Sequence, residues 1–112
     1  TKEGNFVPTM IKAANRVDSF NFEKFSNEVV SAIDNKANSL VIDLAETQFL
    51  SFQAIKFLTR TAQLLKGRQG ELILRSPCDR IQKHLEVFTD LKWFSIWQET
   101  PKERELDGNA YF

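Results

Sequence analysis

Residues 40–44 read Leu40-Val41-Ile42-Asp43-Leu44, a short apolar run closed by an acidic residue. Its apolar residues do not alternate with polar ones, which suits a strand covered on both faces. Leu72-Ile73-Leu74 repeats the pattern downstream, and Trp93-Phe94-Ser95-Ile96-Trp97 reads as a last short strand. Between the first two runs, Ile55, Leu58, Ala62 and Leu65 recur at helical spacing, with Gly67 just past the expected helix end. Ser76-Pro77-Cys78-Asp79 then reads as a helix start, with Ser76 as the cap and Pro77 at the first helical position. Cys78, Ile81, Leu85 and Phe88 are the expected core face of that helix. Strand, helix, strand, helix, strand from Leu40 to Trp97 predicts parallel strands joined by right-handed crossovers.

Upstream the signals are weaker. Residues 6–14 read as a strand interrupted by Pro8, which places it at a sheet edge or a strand start. Asp18 or Ser19 is the expected cap of a first helix, in which Phe22, Phe25, Val29 and Ile33 share a face. That helix should end near Asp34, with residues 35–39 as a loop. Thr100-Pro101-Lys102-Glu103 has the pattern of a capping box, which predicts a short helix to Asp107 ahead of Gly108. The expected fold is α/β: a mixed, mainly parallel sheet of about four to five strands with helices packed against it. The expected organisation is one domain over residues 1–112, with a core from about 6 to 107 and a short polar C-terminal tail.

Composition narrows the function. Fifteen basic and fifteen acidic residues give zero formal charge, so no net field draws the chain to DNA, RNA or an anionic membrane. No basic run with interleaved aromatics occurs, and no apolar stretch reaches the roughly 20 residues of a membrane span. Cys78 is the only cysteine, so no internal disulfide forms, which fits a reducing, cytoplasmic setting. His84 is the only histidine, which excludes multi-histidine metal sites. Cys78 and His84 lie six residues apart on one expected helix and project in different directions, so they make no catalytic dyad. Four scattered glycines supply no phosphate-binding loop. No cofactor or metal site is therefore expected. Ten phenylalanines are more than a core of this size needs, which predicts one or two at the surface.

The order of elements resembles the STAS domain, the fold of bacterial anti-sigma factor antagonists, over about residues 8–105. Asn15-Arg16-Val17-Asp18 is similar to the family's Gly-Arg-Leu-Asp, and the run at 40–44 to its strand ending in Asp and Leu. Phe49-Leu50-Ser51-Phe52-Gln53-Ala54-Ile55 falls on its Phe-Ile-Asp-Ser-Ser-Gly-Leu signature. Gly70-Glu71-Leu72-Ile73-Leu74 and Ile81-Gln82-Lys83-His84-Leu85 match the later strand and helix. The resemblance implies a regulatory protein whose serine, at the start of the second helix, is phosphorylated by a kinase-like anti-sigma factor. Here Phe52 takes the place of that serine, Ser51 that of the preceding aspartate, and Ala54 that of the glycine. Phe52 has no hydroxyl, so the usual phospho-switch is absent or moved.

Each candidate has two readings. Ser51 is a displaced phosphosite or, far more simply, the cap of the second helix. Phe52 is a partner-binding anchor or tucks against a neighbouring loop, since it lies roughly 110° from the centre of the apolar face. Phe57 and Leu64 fall on the other flank. Asp43 is expected to hold a loop through backbone hydrogen bonds, and sequence does not show whether it meets Asp18. The expected partner surface comprises Asp18, Ser19 and Phe20, then Ser51, Phe52 and Gln53, with Lys56 and Phe57 on the outer face of the second helix.

The function these readings support is non-enzymatic: a regulatory module that binds a kinase-like anti-sigma factor or a related signalling protein. The alternative is a STAS-type accessory subunit of a membrane transporter, bound to its ATPase subunit. A small-ligand site at the carboxyl edge of the sheet is a third reading, with no nucleophile–base pair to support it. A homodimer through the Phe-rich surface would shield that surface from water.

Overall fold

The computed structural model describes residues 9–34 and 38–98. Four strands, β1 (Thr9–Lys12), β3 (Ser39–Asp43), β5 (Glu71–Arg75) and β6 (Phe94–Trp97), form one sheet in the order β1-β3-β5-β6. Two shorter ones, β2 (Arg16–Val17) and β4 (Phe49–Leu50), pair separately. Every pairing among the described residues is parallel. Helices α1 (Phe22–Asp34), α2 (Phe52–Gly67) and α3 (Asp79–Phe88) make the connections. The fold is thus the expected α/β one with a mainly parallel sheet, and the upstream segment supplies two strands. β1 begins directly after Pro8 and lies at the sheet edge, where a missing N–H is tolerated.

Strand periodicity explains which face is covered. Ile11, Leu40, Ile42, Leu72, Leu74 and Phe94 point to one side and share a core with all three helices. Phe25, Val29 and Ile33 of α1, Ile55, Leu58, Ala62 and Leu65 of α2, and Ile81 and Leu85 of α3 fill it. Each fully buried Leu or Ile contributes about 1.5–3 kcal/mol by leaving water. The alternate residues form rows on the opposite side, Met10–Val41–Ile73–Ser95 and Lys12–Asp43–Arg75–Trp97. Val41 is buried there while Met10 and Trp97 are half exposed.

Local starts and stops differ from the sequence expectation in instructive ways. Neither Asp18 nor Ser19 caps α1, which starts later, at Phe22. The Asp18 carboxylate instead accepts from its own loop, from Phe20 N–H at 3.0 Å, and Asn21 O accepts the first helical bond from Phe25 N–H. Ser76 is not the cap of α3. It has φ 55, and its N–H donates to Trp97 O at 2.7 Å, so pairing with β6 carries the chain past it. Cys78 holds the cap position without a side-chain bond from the helix, its thiol directed at Thr47 O.

Gly67 closes α2 rather than following it, and the left-handed residue after the helix is Gln69, with φ 64. The glycine that the chain requires is Gly70, where a β-carbon would lie 1.6 Å from Asn38 O. Phe88 is not a core residue but half exposed, and Trp93 belongs to a 3-10 turn (Leu91–Trp93) ahead of β6. The helix expected from Thr100 to Asp107 lies outside the described residues, as do residues 6–8 of the expected first strand and residues 35–37 of the expected loop.

Candidate functional site

The small β2–β4 pair organises the candidate site. Arg16 stands opposite Phe49 and Val17 opposite Leu50, with the two strands parallel. Parallel strands end at the same edge, so the loop after β2 and the helix after β4 leave side by side. Ser51 N–H donates to Val17 O at 2.8 Å, and Gln48 N–H to Asn15 O at 2.7 Å, tying the two exits together. Val17 and Leu50 are buried and anchor this pair in the core. The Arg16 guanidinium sits 4.5 Å from the Phe49 ring centroid, and its Nε lies 3.6 Å from the Asp18 carboxylate.

The loop that follows β2 is held by its own polar groups. Asn21 Oδ1 accepts from Asp18 N–H at 2.9 Å, while Asn21 Nδ2 donates to Arg16 O at 2.7 Å. With Asp18 accepting from Phe20 N–H, the backbone is fixed by side chains in Asx-type turns. The outcome is a presented ring: Phe20 is 95% exposed. Ser19 beside it is exposed too.

At the neighbouring exit Ser51 is the N-cap of α2, and its Oγ accepts from Ala54 N–H at 3.1 Å. Ala54 is fully buried, so there is no room at this position for a side chain facing a partner. Phe52 opens the helix and is 54% exposed. Its ring meets Phe88 of α3 edge to face, with centroids 5.3 Å apart, and the Lys56 ammonium lies 5.5 Å from its centroid. Phe57 is half-buried, edge-on to Phe22 at 5.5 Å and to Phe25 at 6.2 Å. Phe22, Phe52, Gln53, Lys56, Phe57 and Arg60 line an open groove of about 400 Å³.

The structure therefore places Asp18, Ser19 and Phe20 at one exit of the small sheet and Ser51, Phe52 and Gln53 at the other, with Lys56 and Phe57 continuing along α2. Asp43 does not reach Ser51 through any described hydrogen bond. Its Oδ1 accepts from Ala45 N–H and from Arg75 Nη1, both at 3.0 Å, which fixes the turn after β3 and bridges β3 to β5. Asp18 and Asp43 have separate partners and do not act as a carboxylate pair. Among the described residues no three His, Cys, Asp or Glu side chains are grouped to hold a metal ion.

Sequence reasoning missed Phe88 and Arg60. Phe88 sits at core spacing from Ile81 and Leu85, so periodicity could not separate it; the signal was its place at the last turn of α3, beside Thr89 and Asp90. Arg60 lies one turn beyond Lys56 on the same face, and the absence of any acid from α2 could have pointed to the pair. Thr47 is a further surprise: fully buried, it donates to Ala14 O at 2.9 Å and pins the loop behind β4.

Comparison with known proteins agrees with this geometry. The model of the STAS domain matches residues 1–102. A comparison with curated proteins found no match. Among solved structures, the anti-sigma factor antagonist SpoIIAA in its unphosphorylated form superposes with a TM-score of 0.66 at 16% identity, covering 91% of this chain and 89% of that one. A Thermotoga maritima protein, TM1081, provisionally described as an anti-sigma factor antagonist, superposes with a TM-score of 0.70 at 14% identity, covering 89% of this chain and 87% of that one. Its solution structure gives 0.69 at 12% identity, over 89% and 82%. At these identities the structures speak for the fold. No helix among the described residues is long and apolar enough to cross a membrane. On the family match over nearly its whole length and the shared fold, this chain belongs to the STAS domain family.

Proposed function

We propose that the chain is a non-enzymatic regulatory module of the anti-sigma factor antagonist kind. In this reading it binds a kinase-like anti-sigma factor or related signalling protein in the cytoplasm, as a single domain. The surface would comprise the loop at Asp18, Ser19 and Phe20, the α2 start at Ser51, Phe52 and Gln53, and the outer face of α2 at Lys56 and Phe57. The observation that carries the reading is the exposure of two aromatic rings, Phe20 and Phe52, on segments that leave the small sheet side by side. Exposed aromatics of this kind are the side chains that protein interfaces bury.

Phe52 removes the hydroxyl that the family phosphorylates, so binding at this position is not switched off by a phosphoryl group there. Ser51 keeps a hydroxyl, but it is engaged as a helix cap. The module then acts as a constitutive antagonist or takes its regulation from elsewhere. The similarity to SpoIIAA supports the class of partner.

The test is capture of partners from source lysate by the wild-type chain and by Phe52→Asp, with identification by mass spectrometry. A kinase-like or signalling partner bound by wild type and lost with Phe52→Asp supports the reading. A transporter ATPase subunit, or a signalling partner indifferent to position 52, overturns it.

A further inference from the structure

Resting on the surface proposed above, we infer the chemistry of its partner: an acidic segment carrying a large apolar side chain, laid along the outer face of α2 beside Phe88. α2 contains no Asp or Glu, and its charged residues Lys56, Arg60 and Lys66 are all basic. Lys56 and Arg60 are one turn apart and therefore share a face. Both are exposed, and among the described residues neither takes part in an ion pair. This differs from Lys12, Arg16, Arg75 and Lys92, each of which has a carboxylate within 4 Å.

Two open grooves flank this cationic pair, one bordered by Phe22 and Phe52, the other by Phe88 and Thr89. No acidic side chain lines either groove. Phe52 and Phe88 stand where the two meet, half exposed and in ring contact, with Val87 exposed beside them. The face thus offers an apolar step and two unneutralised cations. Carboxylates of a partner would approach Lys56 and Arg60, while an apolar side chain would cover the Phe52–Phe88 step. A basic segment would meet like charge, and a purely apolar one would leave both cations facing it. Zero net charge over the chain means that this attraction is local to the face.

The experiment is an NMR titration of the full ¹⁵N-labelled chain with four probes. They are a synthetic helical peptide with Glu on one face and Leu and Phe on the other, the same peptide with Lys for Glu, the same with Gln for Glu, and an oligothymidine. The expected result is that only the Glu peptide binds well, shifting the amides of Phe52, Lys56, Arg60 and Phe88. Its Kd should rise by about tenfold or more in a Lys56→Glu/Arg60→Glu variant. Both positions are exposed, so an unchanged melting temperature would verify that the variant is folded. Equal binding of the Gln peptide at the same amides would overturn the acidic-partner inference and leave the proposed surface standing. Preference for the Lys peptide or the oligothymidine would overturn the inference outright. Shifts of the Glu peptide confined to another face would overturn the inference and count against the surface as well.

Discussion

Phe52 and Phe88 meet edge to face across the gap between α2 and α3, at an interplanar angle of 67°, while each keeps about half of its surface in water. The contact joins the first residue of one helix to the last residue of another. Because both rings are half solvated, each should cost only about 1 kcal/mol when cut to alanine, well below the 3–5 kcal/mol of a buried Phe. A double-mutant cycle in urea should return a coupling of about 0.5–1 kcal/mol. A coupling indistinguishable from zero would mean that the two rings do not hold each other in solution.

The two glycines near the end of α2 should respond in opposite directions. Gly67→Ala places a methyl group where no atom lies within 4 Å, inside a helix, and should stabilise by about 0.5 kcal/mol. Gly70→Ala drives a β-carbon into the Asn38 carbonyl, which belongs to the backbone and cannot swing aside. It should cost at least about 2 kcal/mol, read as a lowered urea midpoint. Similar stabilities for the two variants would contradict the close approach of Gly70 to Asn38.

Asp43 makes one bond that needs its charge and one that does not. Asp43→Asn retains an oxygen for Ala45 N–H but loses the ionic contact with Arg75, and should cost about 1 kcal/mol. Asp43→Ala loses both and should cost about 2 kcal/mol. Equal losses in thermal melts would show that the Ala45 bond contributes nothing measurable.

Ser51→Ala should lose about 1 kcal/mol, because Ala54 N–H is left without its cap. Ser51→Asp should keep most of that stability, since aspartate caps as well as serine does and favours the positive helix end. If Ser51→Asp were as unstable as Ser51→Ala in chemical denaturation, the capping role would be wrong.

What could be read from the chain and what could not divides along a physical line. The strands at 40–44 and 72–74 were legible because an unbroken apolar run has few other places to go. The face of α2 was legible because Ile55, Leu58, Ala62 and Leu65 repeat with the helical period. Ser76 was misread because its cap pattern is local, whereas its conformation is decided by the bond to Trp97, from a strand far along the chain. Phe88 was misread for the converse reason. Its spacing is right for the core, but only the approach of α2 shows that its ring lies against Phe52 at the surface. At the candidate site, Phe20 and Phe52 could be suspected singly, yet their adjacency depends on the β2–β4 pair. Strands of two residues carry too little pattern to be seen in a sequence.

That short pair also sets the phase of α2. The helix begins immediately after Leu50, whose partner Val17 and the bond from Ser51 N–H to Val17 O fix where the first turn points. One residue inserted between Leu50 and Ser51 would turn every later position by about 100° unless the helix slid along its axis to compensate. Ile55 and Leu58 would swing off the core, and Phe52, Lys56 and Arg60 would leave their common face together. The length of this junction is therefore as strict a determinant of the outer surface as the side chains that the surface displays.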